Sequence, residues 1–283
     1  MLFISGVASA QQDIINNYAG GGPNNVPATS APTAQPTSVA YDNAGNYYFS
    51  TNYTNQHRVF KVSTSGTLTV LAGEGSPGYS GDGGLATEAQ LYYPQGIAVD
   101  SQGNVFIADE YNHIIREVIA STGFISTVAG QPQSAGYISD GVPATTTDLY
   151  YPSGVAIDNE GNLVIADQYD HRIRLVACIT KTSTGGSCTP PSGDTTGDIY
   201  TIAGDGTNCS TQPCGDGGLA TSATLYYPYA VATDSSGNVY ISDTYDQRIR
   251  RVACGSGISG CTVHLARLQP TYTLWPAMEP RAM

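Results

Sequence analysis

Tyr92-Tyr93-Pro94-Gln95-Gly96-Ile97-Ala98-Val99-Asp100 returns as Tyr150-Tyr151-Pro152-Ser153-Gly154-Val155-Ala156-Ile157-Asp158, and again as Tyr226-Tyr227-Pro228-Tyr229-Ala230-Val231-Ala232-Thr233-Asp234. A weaker copy, Pro36-Thr37-Ser38-Val39-Ala40-Tyr41-Asp42, precedes them. From Asp42 to Asp100, Asp158 and Asp234 the spacings are 58, 58 and 76 residues. Recurrence of this kind marks a repeat architecture, so the content of one unit decides the fold.

Each copy continues alike. A Gly-Asn pair follows at Gly45-Asn46, Gly103-Asn104, Gly161-Asn162 and Gly237-Asn238. Such a pair signals a hairpin, since both residues tolerate positive φ. A short apolar run comes next: Val105 to Ala108, Leu163 to Ala166, Val239 to Ser242. Asp109, Asp167 and Asp243 close these runs, with Thr51 in the first copy. A third run occupies Val59 to Val62, Ile114 to Val118, Arg172 to Val176 and Arg248 to Val252. A fourth ends in Ala-Gly: Leu68 to Gly73, Ile125 to Gly130, Ile199 to Gly204. Four short strands joined by hairpins make one sheet, and a sheet that small buries both faces only when others stack around a common axis. The sequence therefore predicts an all-β fold, a β-propeller of four-stranded antiparallel blades. The blades are expected at residues 36–73, 92–130, 150–204 and 226–266. The unit is longer than the usual ~40–50 residues, and the excess falls in Gly-rich inserts such as Gly75 to Gln90 and Gly206 to Thr224.

Gly96-Ile97-Ala98-Val99-Asp100, the turn Gly103-Asn104-Val105, Ile107-Ala108-Asp109 and Asn112-His113-x-Ile115 together resemble the NHL repeat. Gly81-Asp82-Gly83-Gly84-Leu85-Ala86-Thr87 and Gly215-Asp216-Gly217-Gly218-Leu219-Ala220-Thr221 resemble the inserts of secreted bacterial NHL-repeat proteins. The resemblance covers about Ile14 to Ala266 and implies a propeller, usually six-bladed, most often used for binding. It does not by itself imply a reaction. The chain supplies four NHL-like repeats plus an orphan fourth strand at residues 13–20, which matches Asp198 to Gly204. Either that strand completes the last blade, whose own fourth strand (Thr262 to Ala266) is poor, or the four units are a partial six-bladed ring. An open arc would expose blade edges and faces and invite self-association.

The composition fits a turn-rich extracellular protein. Among 283 residues, 33 are Gly, 16 Pro and 20 Tyr, and 12% are charged. The net charge of −12 argues against nucleic acid and anionic membrane as partners, because both call for a cationic surface. No run of apolar residues is long enough for a transmembrane helix. Residues 1–10, ending Ala8-Ser9-Ala10, read as a signal-peptide remnant, and residues 267–283 match no other segment and form a non-repeat tail. The propeller proper is then expected over residues 11–266.

The cysteines fall into three local pairs: Cys178 and Cys188, Cys209 and Cys214, Cys254 and Cys261. Disulfides are expected within each pair, which places the protein in a secreted, extracellular or periplasmic setting. No cysteine spacing typical of zinc recurs. Asn52-Tyr53-Thr54 and Asn208-Cys209-Ser210 match the N-glycosylation triplet.

Hairpin geometry sorts the loops. The inserts, the Tyr-Tyr-Pro triplets and the second hairpin turns share one face of the ring; the Gly-Asn turns and disulfide loops share the other. The second turns carry Tyr111, Tyr169 and Tyr245, with Tyr53 in the first copy. Tyr92, Tyr93, Tyr111, Tyr150, Tyr151, Tyr169, Tyr226, Tyr227 and Tyr245 thus form a candidate ligand face. Tyrosine offers a flat apolar ring and a hydroxyl, suited to a protein, peptide or glycan. The competing role for the paired tyrosines is that of spacers between blades. Asp109, Asp167 and Asp243 are expected to accept backbone N–H groups and pair with an arginine such as Arg116, Arg172 or Arg248. Asp82, Asp140 and Asp216 read as tight-turn residues. His57, His113 and His171 recur, but Gln247 replaces the fourth, so a metal ring there would be incomplete. The expectation is a non-catalytic binding scaffold with no cofactor and no metal. The alternatives are a structural subunit that assembles by strand exchange and a metal-dependent lyase- or lactonase-like propeller.

Overall fold

The computed structural model describes residues 25–30, 35–52, 56–179, 195–209 and 214–253. The orphan strand at 13–20, the signal-peptide remnant, Tyr53, the strand at 262–266, the tail and Cys188, Cys254 and Cys261 lie outside these residues. Within them the chain is a β-propeller of antiparallel blades, joined in chain order from the inner strand outward.

The first blade runs Pro36–Tyr41, Tyr47–Thr51, His57–Val62, Thr67–Gly75. The second runs Pro94–Val99, Val105–Asp109, Ile114–Val118, Ile125–Ala129. The third runs Pro152–Ile157, Leu163–Asp167, Arg172–Val176, Asp198–Ala203. The fourth shows Pro228–Thr233, Val239–Asp243 and Arg248–Val252 among the described residues.

Two features go beyond the expectation. Val26–Pro27 pairs with the outer strand of the first blade, and Val142–Pro143 with that of the third, each as a short fifth strand. In the second blade a single bridge, Leu85 to Phe124, stands in the same place. The Gly-rich inserts are also more than loops. Their alanines and leucines (Ala86, Ala89 and Leu91; Ala220, Ala223 and Leu225) are buried between blades. The backbone ties them in: Gly130 donates to the Ala144 carbonyl at 2.9 Å, and Gly204 to Ala220 at 2.9 Å.

The core lies between blades. Tyr48, Val59 and Ala72 of the first blade meet Ile97, Val105 and Ile107 of the second. Phe106, Ala108 and Ile115 meet Val155, Leu163 and Ile165. Val164, Ile173 and Leu175 meet Val239, Ile241 and Val252. The inner strands come closest at glycine: a Cβ on Gly96 would lie 2.6 Å from the Ser153 carbonyl oxygen, and one on Gly154 would lie 2.7 Å from that of Tyr229. Such approach leaves no room for a side chain, which explains both glycines of the Pro-x-Gly string.

The Gly-Asn turns work differently from their sequence reading. Gly103 has φ near 85°, but Asn104 serves as a clamp. Its N–H and its side-chain amide donate to the two oxygens of Asp100, each at 2.8 Å. Its side-chain oxygen Oδ1 accepts the Ala120 N–H at 3.0 Å, tying the first hairpin to the end of the third strand. Asp158 and Asn162 repeat this arrangement, with the Cys178 N–H as the last donor. Cys209 and Cys214 form the expected disulfide. Cys178 is also disulfide-bonded.

Candidate functional site

The tyrosine side of the ring is built on strained backbone. Tyr93, Tyr151 and Tyr227 all have left-handed φ, between 51° and 56°. That conformation is uncommon for a residue with a large side chain and must be held by its surroundings. The holder is a histidine from the preceding blade. His57 Nδ1 accepts the Tyr93 N–H, His113 Nδ1 that of Tyr151, and His171 Nδ1 that of Tyr227, each at 3.2 Å. Each imidazole must be neutral to accept, and burial pushes all three below the ordinary histidine value. The histidines are thus structural clips between blades. Gln247, in the same place and also left-handed, is the fourth-blade counterpart.

The first tyrosine of each pair is held by an aspartate. The Tyr92 N–H donates to Asp109 at 2.6 Å, Tyr150 to Asp167 at 2.7 Å and Tyr226 to Asp243 at 2.7 Å. Beneath them lies a buried charge layer. Arg116 pairs with Asp82 and faces Asp109; Arg174 sits between Asp140 and Asp167; Arg250 sits between Asp216 and Asp243. The three arginines are at most 2% exposed. Two expectations are corrected here. The partners are Arg174 and Arg250, not Arg172 and Arg248: at the start of the strand, two residues before the buried arginine, Arg172 instead reaches the Asp205 carbonyl, and Arg248 the carboxylate of Asp216. Asp82, Asp140 and Asp216 are guanidinium partners as well as turn residues.

In the second blade one arginine faces two carboxylates, which leaves one negative charge in excess. The protein resolves it by burial. Burial pushes Asp82 up, but hydrogen bonds from Thr127 and the Arg116 charge outweigh it, and Asp82 lies below the ordinary value. Burial dominates at Asp109, which is pushed up to about 7, and at Asp243, pushed up to about 6.

On this base the rings form a continuous belt. From His57 it passes to Tyr93 at 5.2 Å between ring centres, to Tyr111 at 4.5 Å and to Tyr151 at 5.1 Å. It continues to Tyr169 at 4.8 Å, Tyr227 at 4.7 Å and Tyr245 at 4.8 Å. Tyr92, Tyr150 and Tyr226 flank it at 5.1 to 5.3 Å from Tyr111, Tyr169 and Tyr245. The geometry joins all nine tyrosines. The paired ones are half-buried and span neighbouring blades, so the spacer role and the surface role coincide. Tyr111, Tyr169 and Tyr245 are 39%, 41% and 62% exposed.

Sequence reasoning overlooked the mouth of the axis on this side. Thr37, Gln95, Ser153 and Tyr229 occupy one position in four blades, just after the proline. The Tyr229 hydroxyl donates to Gln95 Oε1 at 3.1 Å, from the fourth blade to the second. Glu110, beside them, replaces the neutral Asn52, Gln168 and Thr244 of the other blades. The available signal was the lack of repetition at these two positions. No metal centre emerges among the described residues: the one close group of potential ligands is Cys209, Cys214 and Asp246, and its two sulfurs are joined in a disulfide.

Comparison with known proteins agrees with this architecture. Residues 149–174 match the NHL repeat, and residues 76–137 match the teneurin NHL domain. Human teneurin-1 is 28% identical over 274 aligned residues, taking in 71% of this chain and 10% of that one. Teneurin-m of Drosophila melanogaster is 31% identical over 186 residues, 63% of this chain and 6% of that one. The chain therefore spans a tenth or less of the length of these relatives. Among solved structures, an auxiliary nutrient binding protein from Bacteroides thetaiotaomicron superposes with a TM-score of 0.56 at 18% identity, over 85% of this chain and 55% of that one. That likeness concerns the fold.

Proposed function

We propose that this NHL-repeat chain is a non-catalytic binding module of an extracellular or periplasmic protein, which presents its tyrosine belt to a protein, peptide or glycan. The observation that carries the reading is the continuity of the belt: nine rings in contact, fixed by histidine clips and aspartate anchors, with three of the tyrosines exposed. Rigid aromatic surface gives binding area at little entropic cost. The Cys209–Cys214 disulfide supports the oxidising setting. The test is a peptide and glycan array probed with the wild type and with the Tyr111→Ala/Tyr169→Ala double variant. The reading expects hits that the double variant loses by tenfold or more, in line with the ~2 kcal/mol typical of aromatic anchors. Hits that persist unchanged would refute it.

A second reading, docking of end blades between copies, is favoured by a different observation. Val39 on the first blade is 71% exposed and Ile249 on the fourth is 59% exposed, whereas the counterparts of Val39 (Ile97) and of Ile249 (Ile115 and Ile173) are buried; Tyr41 on the first blade is 80% exposed. Light scattering over a concentration series tests it; a mass independent of concentration would remove it.

A further inference from the structure

Beside the belt lies one group that the repeat does not require. Glu110 follows Asp109 in the second hairpin turn of its blade, and its side chain lies at the axial mouth beside Gln95 and Tyr229. It is 8% exposed. The Gln95 side-chain amide, whose oxygen already accepts the Tyr229 hydroxyl, lies beside the carboxylate. One carboxylate oxygen, Oε2, is buried and has no hydrogen-bond partner. Among the described residues no Arg, Lys or His forms an ion pair with it. Tyr111, Tyr169 and Tyr229 stand near enough for its charge to act on their hydroxyls: after burial itself, and Tyr227 in the case of Tyr169, Glu110 pushes each phenol up.

A buried carboxylate oxygen without a donor is unfavourable unless the group takes up a proton, and burial pushes Glu110 up to about 7, or a ligand completes it, as it can above that pH. The surrounding groups decide the ligand. One carboxylate and one phenol oxygen are too few for calcium or magnesium, which take six or more oxygens. A primary ammonium is a better match. It offers three N–H donors, one for Glu110 Oε2 and one for the Tyr229 oxygen. It is also attracted to aromatic faces, which Tyr111, Tyr169 and Tyr229 supply nearby.

We propose that Glu110, with Gln95 and Tyr229, forms an axial subsite for a primary ammonium group, carried as a lysine side chain or as a free amino terminus by a peptide or protein held on the tyrosine belt. The subsite rests on the reading of that belt as a binding face, and it narrows the ligand from protein, peptide or glycan to an amine-bearing polypeptide.

The test uses the full chain and three small probes, followed by NMR titration at about pH 8, where the carboxylate is ionised. N-acetyl-lysine methylamide carries the side-chain amine, glycine methylamide the free amino terminus, and N-acetyl-norleucine methylamide neither. At least one amine is expected to bind roughly tenfold or more tighter than norleucine, the usual worth of a charge-assisted contact. Which amine gains identifies the source. Glu110→Gln should abolish the preference and leave norleucine binding unchanged. This variant is tolerated by the architecture, since Gln168 fills the equivalent position in the third blade. Equal binding of amine and norleucine probes to the wild type, no binding of either amine at millimolar concentration, or a preference that survives Glu110→Gln would each overturn the subsite. Tyr169→Ala separates the two readings. If it weakens all probes while Glu110→Gln changes nothing, the belt stands and the subsite falls. If it leaves every probe unchanged, the belt reading fails.

Discussion

Replacing Asp109 by Asn tests the buried charge layer. Arg116 carries one positive charge between Asp82 and Asp109, and Asp109 is fully buried. Burial, with a smaller contribution from the retained charge of Asp82, holds the proton on Asp109 to about pH 7 in the folded protein against an ordinary value of 3.8. The sign follows from linkage. Between these two values the folded state binds a proton that the unfolded state has released, so this carboxyl destabilises the fold progressively as pH rises, and its effect levels off above about 7. From pH 5 to the plateau the loss is about two pH units at ~1.4 kcal/mol each, or roughly 3 kcal/mol. The neutral clips His57, His113 and His171 act in the opposite sense, weakening the fold as pH falls below their ordinary 6.5. A difference between two proteins cancels them. The stability of wild type minus Asp109→Asn should therefore fall by roughly 2–3 kcal/mol between about pH 5 and 8, whatever constant offset the substitution brings. For a domain of this size that is a Tm difference that changes by about 5–10 °C, read by circular dichroism at fixed ionic strength. A difference independent of pH, or one that grows in favour of the wild type at high pH, would refute the charge balance assigned to Arg116.

Other consequences are more local. Gly154→Ala places a methyl 2.7 Å from the Tyr229 carbonyl oxygen and 2.8 Å from Ala230 Cα, so it should cost about 1–3 kcal/mol in urea unfolding by forcing the third and fourth blades apart. His113→Leu should cost about 1–3 kcal/mol by leaving the Tyr151 N–H without its acceptor, whereas His113→Gln should recover most of that, as Gln247 occupies the same position. Double replacement of Cys209 and Cys214 by Ala should lower stability by ~2 kcal/mol, the value for so short a loop, measured against the oxidised wild type.

Much of the fold was legible because the repeat fixes both strand number and strand order. Tyr-Tyr-Pro, Gly-Asn and the closing aspartates located the hairpins. What was missed has physical causes. The fifth strands are two residues long and contain proline, as in Val26–Pro27, below what alternation reveals. Arg172 and Arg174 lie on the same side of one strand, so period-2 reading cannot choose between them. Comparison with Arg116 and Arg250 would have, since Ile114 takes the place of Arg172 in the second blade. The tyrosine face was readable because every copy repeats it. The axial mouth was not, because Gln95, Ser153 and Tyr229 share a position without sharing chemistry, and only the folded ring brings Tyr229 to Gln95.

The measurement that tests the central claim most directly compares the two faces of one propeller. Isothermal titration of an array-selected ligand would be run against Tyr111→Ala/Tyr169→Ala on the tyrosine side, and against Ser101→Lys/Asn159→Lys, which alters the opening on the opposite side. The account predicts that the first variant loses at least tenfold in affinity and the second binds as the wild type does. Loss confined to the second variant would contradict it and move the binding face to the Gly-Asn turns.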